Sequence, residues 1–151
     1  MNVKFVVQGS PVGKGRHKYR KHQNYVQTYT PEKTVNYEDL VKMEYRRQVK
    51  YYFPDNHAVY MYIRAYYKIP SNASRKKREE MLSGNCVPLV KPDSDNIAKI
   101  IMDALNGIAY KDDNQVAVSV EKFYSETPHV EIWMFSDRKD LLNEICKGEN
   151  L

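Results

Sequence analysis

The stretch from Lys91 to Val116, KPDSDNIAKIIMDALNGIAYKDDNQV, holds five aspartates: Asp93, Asp95, Asp103, Asp112 and Asp113. A helix is expected over 95–106. On it Asp95, Lys99 and Asp103 stand at i, i+4 and i+8 and share one face, with Asn96 at its border. Ile97, Ile100, Ile101, Ala104, Leu105 and Ile108 take the opposite side, so the helix is amphipathic with a buried aliphatic stripe. Asp93 and Asp95 lie at its entrance. Asp112 and Asp113 follow a short turn and precede an expected strand. If that strand runs back beside the helix start, one of the pair meets Asp93 and Asp95. Carboxylates that converge repel one another, and a hard divalent cation such as Mg²⁺ relieves the repulsion. An ion held this way suits phosphodiester hydrolysis: it activates a water and neutralises charge developing on the phosphorus oxygens. Lys99 could then contact the scissile phosphate, orient the water, or hold the carboxylates together without metal.

Each residue also has a simpler reading. Asp93 or Asp95 could be a helix N-cap. Asp112–Asp113–Asn114 could be a polar turn. Lys99 could form a solvated ladder with Asp95 and Asp103. The joint pattern is harder to produce by capping and turns, but it makes an active centre only if the 93–95 segment and the 112–113 turn meet in space. Two look-alikes fall away. Gly9-Ser-Pro-Val-Gly13-Lys14 is one residue short of a P-loop and lacks its Ser/Thr, so no nucleotide cofactor is expected. Asp93-Ser-Asp95-Asn96 begins like a calcium loop, but Ile97 and Ala98 follow in place of the next ligand and the turn glycine.

The 151-residue chain carries a net charge of +5, unevenly spread. Residues 1–50 hold 11 Lys+Arg against 4 Asp+Glu, and no acid precedes Glu32. An anionic partner fits this basic portion. Lys14, Arg16, Lys18, Arg20 and Lys21 fall in a segment at 10–30 that reads as a long loop, and loops of that length are usually functional or disordered. The alternative is a merely soluble basic loop. Tyr19, Tyr25, Tyr29 and Tyr45 lie among the basic residues, where rings can stack on exposed bases, or pack in the core as strand-favouring aromatics do. Cys86 and Cys146 have no metal-ligand spacing, so a zinc site is not expected. No apolar run is long enough to span a bilayer and no signal-like segment opens the chain, so no membrane partner and a cytoplasmic location are expected.

One domain is expected over 1–151. Strands are expected at 1–9 and 58–67, the latter rich in aromatic and β-branched residues. Helices are expected at 34–51, 71–82 and 138–146, the last capped by Asp137, with a frayed tail beyond. Strands at 115–124 and 128–135, joined by a turn at 125–127, read as a β-hairpin. The class is α/β or α+β, a mixed sheet of about four strands flanked by helices.

The Lys91–Val116 stretch resembles the RusA family of Holliday-junction resolvases of bacteria and phages. The shared pattern is Pro92-Asp93-x-Asp95-Asn96, Lys99, Asp103-Ala104-Leu105-Asn106-Gly107, Tyr110, Asp112-Asp113 and Gln115-Val116. Pro11, Lys14-Gly15-Arg16 and Tyr29-Thr30-Pro31 look like the family's Gram-positive and phage branch. The resemblance implies a RusA-like fold with a basic DNA-binding loop at 10–30 and a catalytic core at 91–116. It implies a homodimeric Mg²⁺-dependent endodeoxyribonuclease, with Mn²⁺ a substitute, that makes paired symmetric nicks across a four-way junction in DNA recombination and repair. The family's metal-binding carboxylates match Asp93, Asp95 and Asp113. Its essential lysine matches Lys99, and Asp103 matches an aspartate of supporting role, beside Asn96 and Asp112. Lys14, Arg16, Lys18, Arg20, Lys21 and Lys91 are the expected DNA contacts. Val90-Lys91-Pro92 departs from members with an arginine run before the first aspartate, and Arg75-Lys76-Lys77-Arg78 either supplies that charge or is a solvated helix face. The competing readings are a branched-DNA-binding protein without turnover and a metal nuclease acting on flaps, forks or RNA.

Overall fold

The aromatic-rich stretch AVYMYIRAYY becomes the strand on which the others assemble. In the computed structural model, which describes residues 1–147, the elements run β1 (Asn2–Gln8), β2 (Lys18–Lys21), β3 (Val26–Tyr29), α1 (Glu32–Gln48), β4 (Val59–Lys68), α2 (Arg75–Leu82), α3 (Ser94–Leu105), β5 (Val116–Ser125), β6 (His129–Phe135) and α4 (Arg138–Lys147). The fold is mixed α+β. Its main sheet has the order β1-β6-β4-β5, with β4 and β5 parallel and the other pairs antiparallel, and β2 and β3 form a separate ribbon. The residues expected as a tail beyond 147 lie outside those described.

The expected hairpin between the last two strands does not form. β6 pairs with β1 and β4, and β4 separates it from β5. The physical reason lies in β4. Val59, Met61, Tyr62, Ile63, Ala65 and Tyr67 are all buried, on both faces. A strand apolar on both faces belongs at the centre of a sheet, with neighbours on each side. Residues 126–128 therefore step across β4 rather than turn back along β5.

Parallel pairing of β4 with β5 requires a crossover, and α2 and α3 supply it. α3 accordingly runs back against the strands. It packs with α1 on one face of the sheet, where Ile97, Ile100, Ile101, Ala104 and Leu105 meet Tyr37, Val41 and Tyr45 over Phe5, Val7, Met61, Ile63, Ile132 and Met134. On the other face a smaller cluster of Tyr62, Trp133 and Phe135 receives Leu141 of α4. Asp137 opens α4 as expected, its carboxylate accepting from the Lys139 N–H at 2.7 Å. At the β1 edge the Gln48 side chain acts as a short strand: its amide accepts from Val6 N–H at 3.0 Å and donates to Val6 C=O at 2.8 Å.

The segment at 10–30 is not structureless. It contains the β2–β3 ribbon, whose eight residues are all exposed. Its strands carry Lys, Arg, Gln and Thr on both faces, so no apolar alternation marks them in the sequence. The Arg20 guanidinium lies 5.7 Å over the Tyr29 ring, and His22 stacks on Tyr25 at 4.5 Å at the ribbon's tip.

Candidate functional site at the two ends of helix α3

Asp93 is the N-cap of α3, its carboxylate accepting from the Asn96 N–H at 2.9 Å. This is one of the simpler readings, and it leaves the other carboxylate oxygen uncommitted. The Tyr67 hydroxyl donates to the Pro92 carbonyl and fixes the helix start against the C-terminal end of β4. Burial, together with the nearby Asp93 charge, pushes the Tyr67 phenol up to about 12. The Lys91–Pro92 peptide is cis. Asp95, in the first turn, and Lys99, one turn on, are exposed. Among the described residues neither side chain has a hydrogen-bond or ion-pair partner, so the alternative reading of Lys99 as part of a ladder with Asp95 and Asp103 does not hold. An open groove of about 850 Å³ begins beside them, lined by the 11–16 segment, Lys33, Lys91, Asp93 and Asn96.

The other end of α3 is built differently. Asp103 lies 2.9 Å from the Lys14 ammonium, which also lies 2.5 Å from Glu38 of α1. Tyr110 is buried and donates to the Met102 carbonyl at 2.8 Å. Asp112 caps the 3₁₀ turn Asp113–Gln115, accepting from Asn114 N–H. Gln115 holds that turn in place. Its amide oxygen accepts from the Lys111 and Asp112 N–H groups, and its amide nitrogen donates to the Pro54 and His57 carbonyls. The Asp113 carboxyl is raised above its ordinary value by its hydrogen bond to Asp112, by partial burial, and by the charges of Asp112 and Asp103.

One chain therefore does not bring the expected ligands together. Asp113 sits in the field of Asp103, at the helix C-terminus, whereas Asp93 caps the N-terminus. Ten residues of helix, at about 1.5 Å each, put about 15 Å between the two ends. The strand after Asp113 begins beside Val59, at the opposite end of β4 from Tyr67 and Pro92. An ion needs its oxygens within about 2–2.6 Å. Among the described residues no three His, Cys, Asp or Glu side chains gather so as to hold a metal. The convergence expected from the sequence fails within one chain because α3 runs antiparallel to β4 and β5, so that β5 starts at the far end of the helix.

The basic residues divide as well. Arg16, Lys18, Arg20, Lys21 and Lys91 are exposed. Lys14, expected beside them as a DNA contact, turns inward instead. Gln115, Tyr67 and Glu38 escaped the sequence reading. Gln115 and Tyr110 stood in the motif without a role, while Tyr67 and Glu38 carried no local signal.

A family model described as Endodeoxyribonuclease RusA matches residues 8–134. The chain belongs to the RusA family. That family comprises Holliday-junction-resolving endonucleases, which makes the chain a nuclease of the hydrolase class that acts on DNA. The matched residues take in the basic ribbon, both ends of α3, β4, β5 and β6 as far as Met134, and of β1 only Gln8. A similar protein, the uncharacterized protein YqaN of Bacillus subtilis (strain 168), is 38% identical over 136 residues, covering 86% of this chain and 93% of that one. RusA nucleases generally need a divalent metal, and the carboxylate oxygens at the two ends of α3 are donors of the right chemistry in an arrangement that one chain leaves incomplete. No described helix is long and apolar enough to cross a membrane.

Proposed function

We propose that the protein is a structure-selective endodeoxyribonuclease that resolves four-way DNA junctions by paired symmetric nicks, as a Mg²⁺-dependent homodimer serving recombination and repair in the cytoplasm. The observation that carries this reading is the N-terminal end of α3, where Asp95 and Lys99 are exposed and without a partner among the described residues, and where the neighbouring Asp93 and Asn96 line a groove with Arg16, Lys33 and Lys91. Functional groups kept free of internal partners next to a cationic surface are placed for a phosphate backbone. Arg16, Lys18, Arg20 and Lys21 would grip phosphates beyond the cut, with affinity that falls as salt rises.

The homodimer follows from the separation of the ligands. If Asp93, Asp95 and Asp113 serve one ion, Asp113 must come from a second chain, and twofold symmetry then gives two centres for two nicks. Apolar side chains near the same end favour such contact: Val87, Leu89 and Val90 are exposed, Leu89 at 92%. A bound divalent cation would supply an activated water and charge neutralisation. The chain's own residues would orient the phosphate, through Lys99, and hold the helix start rigid, through Tyr67 and Asn96.

The test combines substrate and complementation. Labelled four-way junction, duplex and flap DNA are incubated with Mg²⁺ or EDTA. Symmetric nicks confined to the junction and abolished by EDTA are expected. Asp95→Asn and Asp113→Asn are each expected to be inactive. Mixed after dissociation, they rebuild one intact centre in half of the dimers and recover about a quarter of the nicking. Absence of any recovery rejects the shared centre. The separation of the carboxylates favours, as a second reading, a branched-DNA-binding protein without turnover, for which binding without cleavage in Mg²⁺ is the outcome. Preferential cutting of flaps or RNA would instead assign another substrate to the same chemistry.

A further inference from the structure

The segment Gly13-Lys14-Gly15 lies flat between the starts of α1 and α3. A Cβ added at Gly13 would stand 2.7 Å from Pro92 Cβ and 3.0 Å from Asn96 Cβ, and one added at Gly15 would stand 2.7 Å from Thr34 Oγ1. Two backbone hydrogen bonds hold the segment: Lys14 N–H donates to the Asn96 carbonyl at 3.1 Å, and Gly15 N–H to Thr34 Oγ1 at 3.0 Å. Between them the Lys14 side chain, 16% exposed, reaches inward to Glu38 of α1 and Asp103 of α3. Three residues after Gly15 the basic ribbon begins.

We propose that Lys14 is a positioning residue: an internal strut that ties α1 to α3 and fixes the root of the basic ribbon relative to Asp93, Asp95 and Lys99. The function of that placement rests on the reading of the chain as a branched-DNA nuclease. Two carboxylates already engage the ammonium, and the group of three carries a net negative charge, which does not attract phosphate. Burial by itself would lower the lysine's pKa, but the hydrogen bonds and charges of Glu38 and Asp103 outweigh it and raise it, so the lysine stays charged. The two glycines are explained by the same arrangement, since any side chain there would lift the segment off both helices.

Junction binding by the full chain is measured in EDTA over a range of salt, and cleavage at saturating junction in Mg²⁺. Arg20→Met, which removes an exposed ribbon cation, is expected to reduce the slope of log K against log salt by about 0.9. Lys14→Met is expected to leave that slope unchanged and to lower kcat at least about tenfold through misplacement of the reacting groups. Lys14→Arg separates the readings even if Lys14→Met does not fold. A phosphate contact would tolerate the retained charge, whereas a strut fitted to two carboxylates loses kcat with the slope intact. A reduced slope in Lys14→Met, or wild-type kcat in Lys14→Arg, overturns the proposal. Amide exchange gives a readout without substrate. The Lys14 and Gly15 N–H groups are expected to exchange at least about tenfold faster in Lys14→Arg, and unchanged protection overturns the strut even if the wild-type protein cuts no DNA.

Discussion

At its N-terminal end α3 presents an exposed acid, Asp95, and an exposed lysine, Lys99, that have no bonding partner among the described residues. At its C-terminal end Asp103 is paired with Lys14 and Asp112 caps its turn, while Asp113 lies against Asp112, whose nearness raises its pKa. Both ends come from one 25-residue motif and look alike in composition. The structure separates them by what their polar groups are already doing. Charges committed to internal partners hold elements together, and charges left uncommitted beside a cationic groove are free to meet a substrate.

This contrast can be broken most sharply at Asp95 and Lys99. Asp95→Asn is expected to reduce junction cleavage by about 10²–10³-fold or more while retaining or tightening junction binding, since a repulsive carboxylate is lost. Lys99→Ala is expected to lose cleavage as well. Because neither side chain has a partner among the described residues, thermal unfolding should stay within about 0.5 kcal/mol of wild type for both. A large loss of stability in either would show that this end, too, is structural.

A smaller effect, of the opposite kind, is expected at the other end. Asp103→Asn weakens the Lys14 strut and should cost about 1–2 kcal/mol of stability, tempered because Asp103 keeps a third of its surface in water. Denaturant unfolding measures it. No change would mean that the ion pair is idle.

The smallest effect concerns pH. The folded-state pKa of Asp113 lies above its unfolded value, so its contribution to stability is present below the unfolded pKa and is lost as pH rises through the folded one. Asp112→Asn removes the main cause. The Asp113 carboxyl should titrate nearer its ordinary value by NMR, and the variant should be slightly more stable than wild type at neutral pH but not in acid. An unchanged Asp113 titration would assign the shift to Asp103 and burial instead.

Much of the architecture could be read from residue pattern. The aliphatic stripe of α3 is buried where its period places it, and the alternation of Phe5 and Val7 marks the core side of β1. Two features were hidden for physical reasons. The turn at 125–127 carries a hairpin's local chemistry, but partner choice in a sheet is decided by which strand is apolar on both faces, a comparison across the whole chain. The β2–β3 ribbon has no buried face and so leaves no period to detect. At the site, residue types and neighbours on α3 were legible, but the span between Asp93 and Asp113 was not. It depends on the direction in which a helix crosses a sheet, and spacing alone does not encode that. Lys14 was misleading for a similar reason. A lysine in a basic segment looks solvent-facing until Glu38, 24 residues away, is seen beside it.

The Gln48 amide that bonds to Val6 closes one margin of the main sheet. The opposite margin, along β5, ends the strand order, and among the described residues no side-chain amide pairs with its outer backbone in this way. A sheet obstructed on one side can be extended on the other only once, by a second copy presenting the same free margin. If a second copy paired along β5, edgewise growth would stop at that pair wherever the Gln48 plug blocks the other margin.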